Sequence, residues 1–496
     1  MVGGISFGGL GSGLDTGAII DALLQLESQP IKVLESRKAL EQKKLDLLGT
    51  LKGHVEGLRD KARDLSTLAG FLHFRVQPSE EGYASFSVSS GASAGAHTLR
   101  VESLATADRW AFDPVADPDA PLASGEGQGL SFTYQGVTYD VTVTQAASSL
   151  NEIAAAIGEA VEGALSVSVV NTGTESTPTW QLVIAGSETG ADFRISGLAS
   201  TIAGLMIDGT GPDPSGNPQS QNNIMVGMNA VAYVDGLQVT RSDNDFSGVV
   251  EGVGITVTKA DPVTTISFTV DPDKEAIKAG VQEFVDLYNE VIGFLNGQSR
   301  YSEESGPSGE LFGDPALRSI RRTLVNALFG QTLEQIQGDV EGYGTLRLLG
   351  IESSVDGTLA IDDAVFDEKL DANLEAFAEL FVDTDGFDNG GALPGTPQYY
   401  VDLTPDSGLA DDLMRAIDAL VDRFDDGQGH IYKGLFDARN ESINAKIKLF
   451  DKQIEQREYR LERYEEQLVA RFTALETLMA QLNAQGAYLQ EKLSQL

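Results

Sequence analysis

Residues 438–493 read ARNESINAKIKLFDKQIEQREYRLERYEEQLVARFTALETLMAQLNAQGAYLQEKL, with no proline and one glycine, Gly486. Ile447, Ile454, Leu461, Leu468, Leu475, Leu482 and Leu489 recur every seven residues without a break. A second column holds Ile443, Phe450, Tyr464 and Leu478, interrupted by Arg457, Arg471 and Gln485. Two apolar columns at this spacing form a coiled-coil seam. At 1.5 Å per residue the helix is roughly 80 Å long. A helix of that length needs something packed along its stripe.

The partner expected for it is residues 31–68. There Val33, Leu40 and Leu47 fall seven apart, and the pattern then shifts by four to Leu51, Leu58 and Leu65, a stutter that coiled coils tolerate. Upstream, Asp15 or Thr16 suits a helix N-cap ahead of Ile19, Ile20, Leu23, Leu24 and Leu26. Pro30 is expected to end or kink that helix. Residues 1–14 are Gly-rich, with apolar Ile5, Phe7, Leu10 and Leu14.

Between these ends the period changes to two. Strands are expected at 85–89, 97–102, 130–134, 137–144, 165–170, 179–185, 230–234, 238–240, 254–259 and 264–270, with a helix at 150–161. Breakers at 113–129 and 208–223 suggest two β-rich modules, one inserted in the other. Asp271-Pro272 has the form of a cap and first-turn pair opening a helix with Ile277, Val281, Phe284, Val285, Tyr288 and Ile292 on one face. Helices are expected at 315–329, 363–381 and 409–424, and a hairpin turning at Asp356-Gly357.

The chain has 496 residues, too many for one core. Its net charge is -39, which repels phosphate and argues against nucleic acid and anionic lipid as partners. Between 371 and 426 there are fourteen acidic residues against Arg415 and Arg423. There is no cysteine, so disulfides and thiolate metal sites are excluded. The N-terminus has no basic and apolar leader pattern, and no apolar run is long enough to span a membrane. If the protein is exported, the route needs no such leader.

Candidate chemistry is sparse. Gly91-Ala92-Ser93-Ala94-Gly95 fits the G-x-S-x-G spelling with His97 nearby, but the nucleophile elbow needs a strand, a turn and then a helix, and here a strand follows. His54, His73, His97 and His430 have no zinc spacing. Asp383, Asp385 and Asp388 sit in a Gly-rich loop, but Phe387 and Pro394 occupy positions where a calcium loop needs ligands. No catalytic residue, metal or cofactor is assigned. Trp110 and Trp180 are expected in cores.

GLGSGLDTGAIIDALLQLESQPIKVLESRK at 9–38 resembles the opening of the flagellar hook-associated protein 2 family, the filament caps. AVAYVDGLQV (230–239) with TRSDNDFSGVVEGVGITVT (240–258), GELFGDPALRSIRRTL (309–324), LRLLGIESSVDGTLAID (346–362) and FTALETLMAQLNAQGAYL (472–489) are similar to the same family, in the same order. Residues 105–225 match least. The resemblance implies an α+β multidomain chain, with terminal coiled-coil helices and a helical bundle leg carrying inserted β-rich head domains. The expected division is 1–30 as a filament-contacting segment, 31–74 as the N-terminal coiled-coil helix and 75–270 as two head modules, the outer one about 110–225. The leg follows at 271–437 and the C-terminal coiled-coil helix at 438–496.

The family also implies a cap at the distal tip of the flagellar filament that helps exported flagellin fold and insert and prevents its leakage. It implies a secreted, ring-shaped homo-oligomer, a pentamer, with flagellin, a hook-filament junction protein and a flagellar export chaperone as partners. On this reading Ile5, Phe7, Leu10 and Leu14 contact the filament, and Leu475, Leu482 and Leu489 contact the chaperone. Alternatives are another flagellar axial protein, such as the junction protein, and a tip adhesin binding host glycans or mucin.

Overall fold

A computed structural model describes residues 15–89, 91–213, 216–302, 306–307, 309–330, 341–404, 407–425 and 431–494. Its main helices are α1 (Thr16–Leu65), α2 (Leu150–Val161), α3 (Lys274–Ser299), α4 (Pro315–Phe329), α5 (Asp363–Ala372), α6 (Leu374–Glu379), α7 (Leu409–Val421) and α8 (Leu435–Ser494). Contacts divide the chain into two units. One combines both ends, Met1–Phe71 and Glu275–Leu496; the other is Leu72–Lys274.

The unit built from the ends is helical. Asp15 caps α1 by accepting from the Ala18 amide at 3.0 Å. α1 then runs for 50 residues straight through Pro30, so the expected break there does not occur. A proline removes one helical hydrogen bond. Ile31 and Leu34, buried just beyond it, hold the next turn in place. Leu48, Leu51, Val55, Leu58, Ala62 and Leu65 are buried farther along α1, where it packs on α7 and α8. Lys61 pairs with Glu283 of α3 at 2.6 Å. α3 contributes Ile277, Val281, Phe284, Val285, Tyr288 and Ile292 to the core. Phe71, Phe284, Phe366, Phe377 and Phe381 form one aromatic cluster, with ring centroids 4.9–6.3 Å apart. The expected 363–381 helix is two, because Asn373 ends α5 and caps α6 with its side chain.

The second unit is β-rich. Its strands are β1 (Phe74–Pro78), β2 (Ala84–Val88), β3 (Gly95–Ser103), β4 (Ala107–Ala111), β5 (Gln128–Tyr134), β6 (Val137–Val143), β7 (Leu165–Asn171), β8 (Trp180–Thr189), β9 (Ser196–Ser200), β10 (Asn223–Met225), β11 (Ala230–Val234), β12 (Leu237–Arg241), β13 (Val253–Val257) and β14 (Ile266–Pro272). All pairings are antiparallel. A five-stranded sheet, ordered β1-β14-β3-β11-β12, shares a core with the β2-β13 pair. The sheets β10-β4-β8-β7 and β6-β5-β9 enclose a second core with α2, and Trp110 lies at its centre.

Local chemistry explains the corners. Gln135-Gly136 and Asp235-Gly236 have positive φ at both residues, which two-residue hairpins require. Ser149 and Glu152 form a reciprocal capping box at the start of α2. Asp271-Pro272 does not open a helix as expected. Both residues complete β14, paired with Arg75 and Phe74 of the edge strand β1. Proline is tolerated at that strand end.

Candidate functional site

The features available for assembly are on α1 and α8, which run antiparallel. Lys38 pairs with Asp451 at 2.5 Å, and Lys446 approaches Glu41 at 3.8 Å. Both helices rise 1.5 Å per residue, so the start of α1 lies level with roughly residue 472 of α8. The long column follows this geometry. Ile447, Ile454 and Leu461 are half-buried and Leu468 is buried. Leu475, Leu482 and Leu489, beyond the start of α1, are 43%, 51% and 60% exposed. Ile5, Phe7, Leu10 and Leu14 lie outside the described residues.

After the shift the expected α1 column holds, with Leu51, Leu58 and Leu65 buried, but before it the inward column is not the expected one. Leu34, Glu41, Leu48, Val55 and Ala62 are buried, whereas Val33 and Leu40 are 50% and 42% exposed and Leu47 is half-buried. One residue is about 100° around a helix. The inner column contains Glu41, which disguises it in sequence. Glu41 is buried between Lys44, at 3.0 Å, and Lys446. A polar residue inside a seam penalises shifted registers. At its base α8 is tied down by Arg439, whose guanidinium donates twice to the buried Asp314 carboxylate, at 2.9 and 2.6 Å. Asp314 also caps α4 through the Ala316 amide.

Within the acidic stretch Arg415 faces a group of carboxylates, and Asp418 faces Arg59 and Arg63 of α1. Oxygens of Asp383, Asp402 and Asp411 lie within 4.8 Å of one another, while Asp385 and Asp388 stay outside that trio. Arg415 bonds both oxygens of Asp411 and stacks on Phe387 at 3.2 Å from the ring centre. Burial pushes Asp411 up to about 6. Arg415 opposes that shift, and the neighbouring Asp383 and Asp402 charges add to it. Burial likewise raises Asp412 and Asp418. Asp402 holds the loop by accepting from the Asp388 and Thr404 amides, at 3.0 and 3.1 Å.

In the β-rich unit, buried Asp108 of β4 ties together the outer module's β4, β10 and the residues before β9, where the chain leaves that module. Its oxygens accept from Trp110 Nε1 (2.6 Å), the Ile195 amide (2.9 Å), Asn223 Nδ2 (3.1 Å) and the Gly227 amide (2.9 Å). No sequence pattern announces this residue, because its partners are up to 119 positions away. Ser93 is exposed in a turn that leads into β3. His97 bonds Asp235 at 2.8 Å and stacks on Phe268. That setting has the turn but not the helix that a nucleophile elbow requires. Among the described residues, no helix is long and apolar enough to cross a membrane.

Long antiparallel helices from the two chain ends belong to one helical unit, and the sequence between them supplies a pair of antiparallel β modules. Residues 12–108 match the family described as flagellar hook-associated protein 2 N-terminus, and residues 227–484 match its C-terminus. The chain belongs to the flagellar hook-associated protein 2 family. It is 27% identical to the flagellar hook-associated protein 2 of Campylobacter jejuni over 420 residues, 76% of this chain and 64% of that protein. It is 26% identical to the Xenorhabdus nematophila protein, over 80% of this chain and 85% of that one. The D1-D2-D3 domains of the flagellar cap protein FliD from Escherichia coli share the fold, with a TM-score of 0.56 at 22% identity, over 80% of this chain and 99% of that one. These similarities lend no support to the tip-adhesin reading.

Proposed function

We infer that the chain caps the distal tip of the bacterial flagellar filament, outside the cell, where it helps exported flagellin to fold and insert and prevents its leakage. The observation that carries this reading is the family match at both chain ends, which includes the α1–α8 pair. A lid that must step aside for each new subunit needs weak, exchangeable contacts rather than one large dry interface. The end of α8, with its leucines exposed beyond α1, suits that demand.

The finer assignments extend this reading. Copies assemble into a ring, with five as the proposed number. Ile5, Phe7, Leu10 and Leu14 seat in the filament end, flagellin and the hook-filament junction protein are the axial partners, and the export chaperone holds Leu475, Leu482 and Leu489 before secretion. The test of the function is deletion of the gene in the source bacterium. The expected phenotype is unpolymerised flagellin in the medium with short or absent filaments, restored by the full chain. Normal filaments without leakage would overturn the reading.

A further inference from the structure

The long helices carry two exposed apolar columns of equal length. On the outer face of α1, Leu26, Val33 and Leu40 are exposed; on α8, Leu475, Leu482 and Leu489 are. Each column is three residues at a spacing of seven, about 21 Å from first to last. Around Val33 and Leu40 the surface forms a shallow groove of about 370 Å³, completed by Lys32, Ser36 and Arg37. We propose that, when the protein self-assembles, the α8 tail of one copy lies along the outer face of α1 in the next. This rests on the self-assembly reading above.

Charge favours contact through the long helices. α1 carries nine basic and eight acidic residues, and α8 carries nine and ten. The two helices together are therefore neutral, and the whole net charge of -39 lies in the rest of the chain. Copies that meet through their long helices avoid the repulsion that two acidic bodies impose on each other. The local signs also agree. From Phe472 to Gln490 the sole charged residue is Glu476, and the acceptor groove is flanked by Lys32 and Arg37.

The geometry specifies the symmetry. The donor column and the acceptor column are different surfaces, so the contact is heterologous, and repetition of a heterologous contact closes a ring when the rotation allows it. Six half-exposed side chains cover far less than the ~1,200 Å² of a stable interface. A single contact is transient, whereas closure gives every copy two. The proposed chaperone contact uses the same tail leucines, so the two occupants exclude each other.

The test is sedimentation velocity on the full chain and two variants. One carries Leu26→Gln, Val33→Gln and Leu40→Gln; the other carries Leu475→Gln, Leu482→Gln and Leu489→Gln. All six positions are exposed, so helicity at 222 nm should match wild type. At concentrations where wild type is assembled, each variant alone should be monomeric, with association weakened at least about tenfold. A 1:1 mixture of the two variants regains one contact per pair, since one supplies an intact tail and the other an intact groove, so it should associate weakly, more than either variant alone at matched concentration and no further than a heterodimer. Assembly of either variant alone with wild-type affinity overturns the inference, and so does a mixture that associates no more than the separate variants at concentrations about tenfold higher. A wild-type chain that is monomeric throughout overturns the self-assembly reading itself.

Discussion

Replacing Asp108 by Asn isolates what holds the outer β module together where the chain leaves it. The change preserves shape but turns one acceptor oxygen into an NH₂ facing donors. On either rotamer, two of the four donors (Trp110 Nε1 and the Ile195 amide, or Asn223 Nδ2 and the Gly227 amide) lose their acceptor. A buried donor left unsatisfied costs about 1–3 kcal/mol, so the loss is about 4 kcal/mol. At a urea dependence of about 3 kcal/mol per molar, the unfolding midpoint should fall by more than 1 M. The chain reports this cleanly, because its two tryptophans, Trp110 and Trp180, both lie in the β-rich unit. Tryptophan fluorescence should therefore show the shifted transition, while ellipticity at 222 nm, dominated by the helical unit, keeps its wild-type midpoint. An unmoved fluorescence midpoint would refute the claim that this carboxylate braces the outer module.

Three further outcomes are expected. Asp411 holds its proton up to about pH 6 in the folded state, above its ordinary range. The folded state thus binds a proton that the unfolded chain releases, and the contribution of this group is present below pH 4 and lost as pH rises through 6. Asp411→Asn should flatten that segment of the melting-temperature profile, and a profile identical to wild type would contradict it. Glu41→Leu fills the seam with a side chain that needs no partner, so it should raise helical-unit stability by about 1–2 kcal/mol in thermal melts while loosening register, read as altered cross-linking between cysteines placed at positions 38 and 451. Removing residues 1–14 should leave both units folded by circular dichroism and abolish filament growth; normal filaments would count against the proposed filament contact.

Periodicity made the long helices, the β-rich middle and α2 legible, since each is a local pattern. What remained hidden depended on partners distant in sequence. α1 needs one face for α8 and others for α3 and α7, so several of its columns are apolar and hydrophobicity alone cannot rank them. Val33–Leu40–Leu47 looked like the better seam because the true one contains Glu41. Pro30 looked like a stop because its local cost is visible, while the packing of Ile31 and Leu34 is not. Asp271-Pro272 has the spelling of a helix start, yet pairing with Phe74 and Arg75 extends the strand instead. Asp108 carries no signal at all, because two of its four donors are main-chain amides far along the chain.

The central claim concerns location at a filament end. Immunogold electron microscopy of intact flagella, with antibody raised against the full chain, tests it directly. The account predicts one cluster of gold at the distal tip of each filament and none along the shaft. Label spread along the filament, confined to the hook, or absent from filaments altogether would contradict it.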